Sequence, residues 1–157
     1  MISHKHKFIF VHIPRTGGTS VERFFNEPID WGNHNSLQWY SRGFEEYDRY
    51  FKFAFVRNPW DKMLSEYFWF RNTKHLYPDE TVKKFFRKSA SCFSEFVPLF
   101  LSSVEGDLSH RLSQLEFLQP INDMDYIGRL EKYSEDFVKI CSHLGIDTES
   151  PPHENYT

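Results

Sequence analysis

The chain of 157 residues has little cysteine, no long apolar run and no block of like charge. Its two cysteines, Cys92 and Cys141, lie far apart and outside any CxxC spacing, so neither a disulfide framework nor a zinc site is predicted. Free thiols are typical of a reducing compartment, and we expect a cytoplasmic protein. His4 and His6 could form a small metal clamp, but an HxH pair near a terminus is usually solvent-exposed, and no metal is predicted.

The sequence also lacks a membrane-length apolar segment, and its start lacks the apolar stretch of a secretion signal, so no membrane partner is predicted. The formal net charge is −3, and the Lys and Arg residues are scattered singly. This pattern argues against a surface that coats nucleic acid and against a polybasic membrane patch. An anionic ligand must therefore be bound locally, by a few residues. The oligomeric state is left open.

Aromatic residues, in contrast, are abundant at 18%, with 17 Phe and 8 Tyr. They indicate either a core built from large rings or a pocket that stacks a base or a sugar. The aromatic stretches at residues 39–40 and 67–70 are candidates for stacking, although their helical spacing favours core packing. A chain of this length is predicted to form a single domain, residues 1–157, that buries roughly two-thirds of its unfolded surface.

Residues 7–13 are predicted to be a buried strand because they are apolar almost throughout and rich in β-branched and aromatic residues, and residues 51–56 are predicted to be another buried strand. Residues 125–129 are predicted to form a third, short strand. Each is followed by a segment in which apolar residues recur at helical spacing. Strands that alternate with helices predict an α/β fold, with a short central parallel sheet flanked by helices on both faces.

Capping and termination signals bound the predicted helices. The first helix is predicted to start from a cap at Thr19 or Ser20, and the second from Ser36. The third is predicted to start from a cap at Asn58, with Pro59 as its first residue, and to end at about Arg71. Residues 81–101 are predicted to be helical in two pieces stopped by Gly106, and the last helix is predicted to run from a cap at Ser134 to Leu144, before Gly145.

The loop after the first predicted strand reads HIPRTGGTS over residues 12–20. A strand that ends in a glycine-rich turn and enters a helix directs backbone N–H groups and the positive end of the helix dipole at one point, which attracts an oxyanion. Gly17 and Gly18 permit close backbone approach, and Arg15 adds a delocalised positive charge. The candidate hydroxyl donors of this loop are Thr16, Thr19 and Ser20. The alternative is a tight turn whose hydroxyls only cap the helix.

This loop differs from the ATP-binding type, in which a Lys directly precedes the final hydroxyl residue. Here the basic Arg15 precedes the glycines instead. A nucleotide kinase or nucleoside triphosphatase would also need a strand-terminal Asp for magnesium, and neither feature is evident. The reversed order therefore argues against that class.

Arg57 directly follows the second predicted strand, at the edge of a parallel sheet where ligands bind. Ser65 lies one to two turns into the next helix and could share a phosphate with Arg57. The alternative is that Arg57 pairs with Asp61 or Glu66 and that Ser65 only allows close helix packing.

Two stretches, FVHIPRTGGTS at residues 10–20 and FAFVRNPWDKMLS at residues 53–65, resemble the cofactor-binding motifs of sulfotransferases, in the branch that contains carbohydrate sulfotransferases. Residues 125–131 and 152–157 are also similar, so the resemblance covers nearly the whole chain. It implies a P-loop-like three-layer fold. It further implies 3′-phosphoadenosine 5′-phosphosulfate (PAPS) as donor, adenosine 3′,5′-bisphosphate (PAP) as product, and no metal.

The resemblance also implies residue roles. The loop from Arg15 to Ser20 would bind the 5′-phosphosulfate, and Arg57 with Ser65 would bind the 3′-phosphate. His34, between the two motifs, would be the general base for a hydroxyl acceptor on a small molecule or glycan. From the residues alone, His34 in its asparagine-flanked segment is a polar loop residue.

Two features depart from the family pattern. The family usually has Lys where this chain has Arg15, which keeps the charge but does not readily donate a proton. Relatives usually continue past Thr157 through a segment that closes over the nucleotide, so the adenine side is undefined. A non-catalytic bisphosphate-binding module is therefore the alternative to an enzyme. Nearby, His12 is predicted to be a buried, hydrogen-bonded histidine, and Glu22 to complement the helix dipole rather than orient the acceptor.

Overall fold

The structure is a computed structural model that describes residues 1–26, 34–71, 80–103 and 108–148. It divides into two compact units. The first unit comprises Met1–Arg57 and Ser113–Thr157, and the second comprises Asn58–Leu112.

The first unit is built on a four-stranded sheet with the order β1-β2-β3-β4. The strands are β1 (Ile2–Ser3), β2 (Phe8–Val11), β3 (Phe51–Val56) and β4 (Tyr126–Arg129). β2, β3 and β4 are parallel neighbours, which confirms the predicted parallel sheet. The antiparallel edge strand β1 was not predicted, because two residues are too short to show a hydrophobic period.

Alternating phenylalanines of the central strands form the core of the first unit. Phe8 and Phe10 of β2 and Phe53 and Phe55 of β3 are fully buried. They cluster with apolar side chains of two helices, α1 (Gly18–Phe25) and the helix that follows β4, Tyr133–His143. The excess of aromatic residues is therefore largely used in the core, and the predicted α/β fold is confirmed.

The remaining helices of the first unit are α2 (Leu37–Gly43) and the short α6 (Gln114–Phe117), while Tyr133–His143 is α7. α2 begins as predicted, with the Ser36 side chain accepting a hydrogen bond from Trp39 N–H. Two predicted caps are wrong. Gly17, in a left-handed conformation, caps α1 in place of Thr19 or Ser20, and Lys132 caps α7 in place of Ser134, because a 3-10 turn over Leu130–Lys132 leads directly into it.

The second unit consists of α3 (Pro59–Arg71), α4 (Glu80–Ser89), α5 (Phe93–Ser102) and a 3-10 turn over Leu108–His110. The predicted Asn58 cap is confirmed, since its side-chain oxygen accepts from Trp60 N–H at 2.9 Å. The predicted break between α4 and α5 is also confirmed. The aromatic side chains that form the core of this unit are Phe70, Phe86, Phe96 and Phe100.

A buried polar group lies beside this core. Glu66 is fully buried and accepts hydrogen bonds from Lys62 Nζ at 3.3 Å and from His110 Nδ1 at 2.9 Å. The ring of Trp69 stacks on the His110 ring with centroids 4.6 Å apart. Both carboxylate oxygens of Glu66 therefore have partners within the second unit.

Some predictions fall outside the described residues. These are residues 27–33, which include the asparagine before His34, the helix stop at Gly106, and the family-like segment at residues 152–157. Among the helices of the described ranges, none has the length and apolar character needed to cross a membrane.

Candidate functional site

The loop between β2 and α1 contains two residues in the left-handed backbone region. Arg15 has φ 65° and Gly17 has φ 85°, and α1 begins directly afterwards at Gly18. A left-handed conformation at a non-glycine residue costs roughly 1–2 kcal/mol, so the surrounding fold must hold Arg15 in place. Turns of this kind bring successive backbone N–H groups together in a concave anion-binding arrangement. The predicted strand, loop and helix therefore occur in the expected order.

Gly18 is buried, and its backbone lies directly against the imidazole of His12. A Cβ atom at this position would overlap the His12 ring. Any other residue at position 18 would therefore force the His12 ring to move. The close approach of a ligand to the Gly18 backbone stays a prediction, and the neighbour described here is the side chain of His12.

His12 connects the end of β2 to α1. Its Nδ1 donates to Glu22 Oε1 at 2.7 Å, and the two side chains are only 15% and 11% exposed. The predicted buried, hydrogen-bonded histidine is confirmed. Glu22 has a partner that the dipole interpretation did not anticipate, because one turn of helix brings its carboxylate to the strand end.

Glu22 is ionised in this environment. Burial by itself raises the pKa of the carboxyl group, but the hydrogen bond from His12 and the nearby charges of His12, the Met1 amino group and His34 together lower it below its ordinary value. A carboxylate therefore faces the two histidines of this region.

Thr16 has a different role from the one predicted for its hydroxyl group. The side chain is fully buried, and Oγ1 donates to the carbonyl oxygen of Ile13 at 2.9 Å. The hydroxyl thus braces the turn, because the left-handed Arg15 folds Thr16 back over the chain, and only the backbone of Thr16 remains a candidate for ligand binding.

The turn between β4 and α7 supports the loop from behind. A side chain at Gly17 would meet the Leu130 methyl group and the Tyr133 ring. Burial, with a smaller effect of the nearby Cys141, raises the pKa of the Tyr133 phenol, while a hydrogen bond with Ser20 opposes the shift. Tyr133 is therefore a neutral group beside the hydroxyl of Ser20.

His34 lies next to this loop. Its Nδ1 is 3.0 Å from the backbone oxygen of His12, and the two imidazole rings are T-shaped with centroids 4.6 Å apart. A carbonyl oxygen only accepts hydrogen bonds, so Nδ1 of His34 carries the proton. In the neutral ring the lone pair is consequently on Nε2, as a base requires.

Arg57 also reaches the loop. Its Nη1 donates to the carbonyl oxygen of Arg15 at 3.4 Å. The side chain of Gln114 fixes its backbone, accepting from Arg57 N–H at 2.8 Å and donating to Arg57 O at 2.7 Å. Ser65 is a buried residue of α3 in the second unit, and its role stays a prediction.

Two further residues lie near the carboxyl ends of the strands: Gln114, which no motif singled out, and Arg129, which belongs to the family-like segment at residues 125–131. The sequence around Gln114 shows no recognisable pattern other than the Ser113–Glu116 capping box of α6, within which Gln114 lies. Arg129 ends β4 and lies in register with Val56, the residue before Arg57, so it belongs to the same sheet edge. Its position at a strand end was the available signal. Within the described ranges, no group of three or more His, Cys, Asp or Glu side chains could hold a metal ion.

Comparisons with known proteins identify a family and a similar fold. The model described as "Sulfotransferase family" matches residues 1–156. Among solved structures, mouse sulfotransferase SULT7A1 complexed with PAP is similar over 95% of this chain, at 19% identity and a TM-score of 0.54. This chain spans 62% of that structure's length, and at this identity the likeness concerns the fold. An uncharacterized protein of Archaeoglobus fulgidus is 26% identical over 107 residues, which are 66% of this chain and 74% of the relative.

Proposed function

The chain belongs to the sulfotransferase family, and we propose that it transfers the sulfuryl group of PAPS to a hydroxyl of a carbohydrate acceptor. One observation carries this proposal. The left-handed loop, the first turn of α1 and the Arg57 guanidinium come together at the carboxyl end of the sheet. Backbone donors and cations at one point stabilise an anionic group in a fixed geometry.

The residues of the loop fit a phosphosulfate. Arg15 supplies a cation that is always protonated, and the left-handed turn at Arg15 and Gly17 brings successive backbone N–H groups together. In PAPS the sulfuryl group is attached to a phosphate, and this phosphate is the leaving group, which departs as part of PAP. Arg15 and the loop N–H groups stabilise charge on that phosphate without donating a proton. Removing one such donor commonly lowers the rate by about 10²–10³-fold, and we expect this for Arg15→Ala.

Arg57 is proposed to bind the 3′-phosphate, and the sequence motif pairs it with Ser65 in this role. Arg57→Ala should weaken binding of PAP much more than binding of adenosine 5′-monophosphate, measured by calorimetry. Arg49→Ala is the matched control, because Arg49 is an exposed arginine of the same unit. Equal loss for both nucleotides would contradict the 3′-phosphate assignment.

His34 is proposed as the general base. Because Nδ1 donates to His12 O, the acceptor proton would pass to Nε2 as the oxygen–sulfur bond forms. His34→Ala should lower kcat by about 10²–10⁴-fold with labelled PAPS as donor. The control is His143→Ala, which alters an exposed histidine stacked on Phe51. Unchanged transfer by His34→Ala would exclude this role.

The carbohydrate acceptor is proposed from the resemblance and from one exposed ring. Trp39 lies in the first turn of α2, five residues after His34, and is 52% exposed. Aromatic rings of this kind stack on the apolar faces of sugars. A panel of sugars, phenols and peptides would identify the acceptor class. Tight PAP binding without transfer to any acceptor would favour the non-catalytic binding module instead.

A further inference from the structure

The ring of His12 is held on several sides at the end of β2. Phe10 stacks on it with centroids 5.7 Å apart, and the Gly18 backbone lies against its Nε2 side. Glu22 Oε1 accepts from its Nδ1 at 2.7 Å. Such a charge-assisted hydrogen bond is short and strong, and it fixes both the orientation and the tautomer of the ring. His12 is therefore a rigid point at the edge of the sheet.

His34 contacts this rigid point twice. Its Nδ1–H donates to His12 O at 3.0 Å, and its ring packs edge-on against the His12 ring. The backbone contact sets which nitrogen carries the proton, and the ring contact sets the tilt of the imidazole. The Glu22 carboxylate thus contacts His12, and His12 in turn contacts His34.

We propose that Glu22 is a positioning residue for His34 and acts through His12, holding the base with its Nε2 lone pair available to the acceptor hydroxyl. This inference rests on the proposed function only in naming His34 as the base. Glu22 touches neither substrate nor donor in this role. Its contribution has two parts, the geometry of the His12 ring and the negative charge beside the two imidazoles.

The charge has a defined chemical effect. When His34 takes up the acceptor proton it becomes an imidazolium, which a nearby carboxylate stabilises. The charged and titratable groups that act on the Glu22 carboxylate are His12 at the strand end, His34 before α2 and the amino group of Met1. Removing the negative charge should therefore make His34 a weaker base without removing any part of the donor-binding loop.

Glu22→Gln separates the two contributions, because an amide oxygen still accepts from His12 Nδ1 but carries no charge. The acidic limb of the kcat/KM profile and the NMR titration of the His34 ring should both move about half a pH unit or more to lower pH. KM for PAPS should change less than kcat. Glu22→Asp should recover part of the effect. Glu135→Gln, at an exposed position of α7, is the control for the same charge change and should leave both readouts unchanged.

A measurement on the unaltered chain tests the geometry even if a variant folds poorly. Nitrogen-15 NMR should show His34 protonated at Nδ1 in its neutral form, and predominance of the Nε2–H tautomer would overturn the proposal. An unchanged His34 titration in Glu22→Gln would overturn it as well. These NMR measurements do not require turnover, so they test the positioning role separately from the proposed function. Failure of the proposed function alone would appear as absence of sulfuryl transfer, with the titration of His34 still sensitive to Glu22.

Discussion

Replacing Gly18 with alanine tests the central contact of the site. Gly18 is the first residue of α1 and has no left-handed requirement, so alanine is compatible with its backbone. The added methyl group would nevertheless overlap the His12 imidazole, with the ring atoms Cδ2 and Nε2 nearest. The ring must move, and the 2.7 Å hydrogen bond to Glu22 must stretch or break.

The expected change in the free energy of unfolding combines two destabilising effects and one stabilising effect at this position. Overpacking a buried site costs about 1–3 kcal/mol, and losing a hydrogen bond to a charged group costs about 1.5–3 kcal/mol. Helix propensity returns at most about 1 kcal/mol on exchanging glycine for alanine. We therefore expect Gly18→Ala to lower the free energy of unfolding by about 2–4 kcal/mol, equivalent to roughly 5–15 °C in Tm for a chain of this size.

Urea and thermal unfolding of two control variants make this test specific. Gly43→Ala places a methyl group in open space at the end of α2 and should change stability by less than about 0.5 kcal/mol. Gly17→Ala should cost at least about 1–2 kcal/mol, through its φ of 85° and through contact of the added methyl group with Leu130, while leaving the His12–Glu22 bond in place. A Gly18→Ala protein as stable as the unaltered chain, with the His12 proton still hydrogen-bonded, would refute the reasoning.

Two further predictions concern titratable groups. Burial raises the pKa of Asp136, but hydrogen bonds from Arg129 N–H and the Tyr126 hydroxyl outweigh it and lower the pKa below 3.8. The Asp136 carboxylate therefore stabilises the fold above about pH 3.8, and this stabilisation is lost as the pH falls through the lower pKa of the folded state. The difference in the free energy of unfolding between the unaltered chain and Asp136→Asn should shrink as the pH is lowered. A difference that stays constant with pH would contradict this. Burial raises the pKa of Cys141 to about 11, whereas Cys92 is exposed and its pKa is lowered. A thiol reagent should therefore label one cysteine in the native protein and two in denaturant. Rapid labelling of both cysteines in the native protein would contradict this prediction.

The three parallel strands were predictable because each is a short segment followed by a helical one, and this alternation favours parallel pairing. β3 lies at residues 51–56, as the apolar run indicates, and α3 ends at Arg71 as predicted. The caps were less predictable. Serine and threonine near a helix start favour capping by their side chains, yet Gly17 caps α1 because the left-handed turn sets where the helix begins. Local preference was overridden by the geometry of the loop.

The candidate site was predictable to the level of the sheet edge. Parallel strands bring their carboxyl ends together, so residues after β2 and β3 were expected to be neighbours, and Arg57 does reach Arg15 O. The hydrogen-bond partners were not predictable. Thr16 turns to Ile13, and Gln114 binds the Arg57 backbone from 57 residues away, because both contacts depend on backbone angles and tertiary packing that sequence spacing does not encode.

The partners of the charged groups explain how this edge stays suited to an anion. Within the described part of the chain, the backbone of Arg57 is hydrogen-bonded to the neutral Gln114 side chain and its guanidinium to a backbone oxygen of Arg15, so these contacts orient the positive charge without pairing it with a carboxylate. Glu22, a carboxylate close to the loop, is instead turned toward His12. A carboxylate paired directly with Arg57 would compete with a phosphate for the guanidinium, whereas a carbonyl oxygen positions the group and leaves its charge for a ligand.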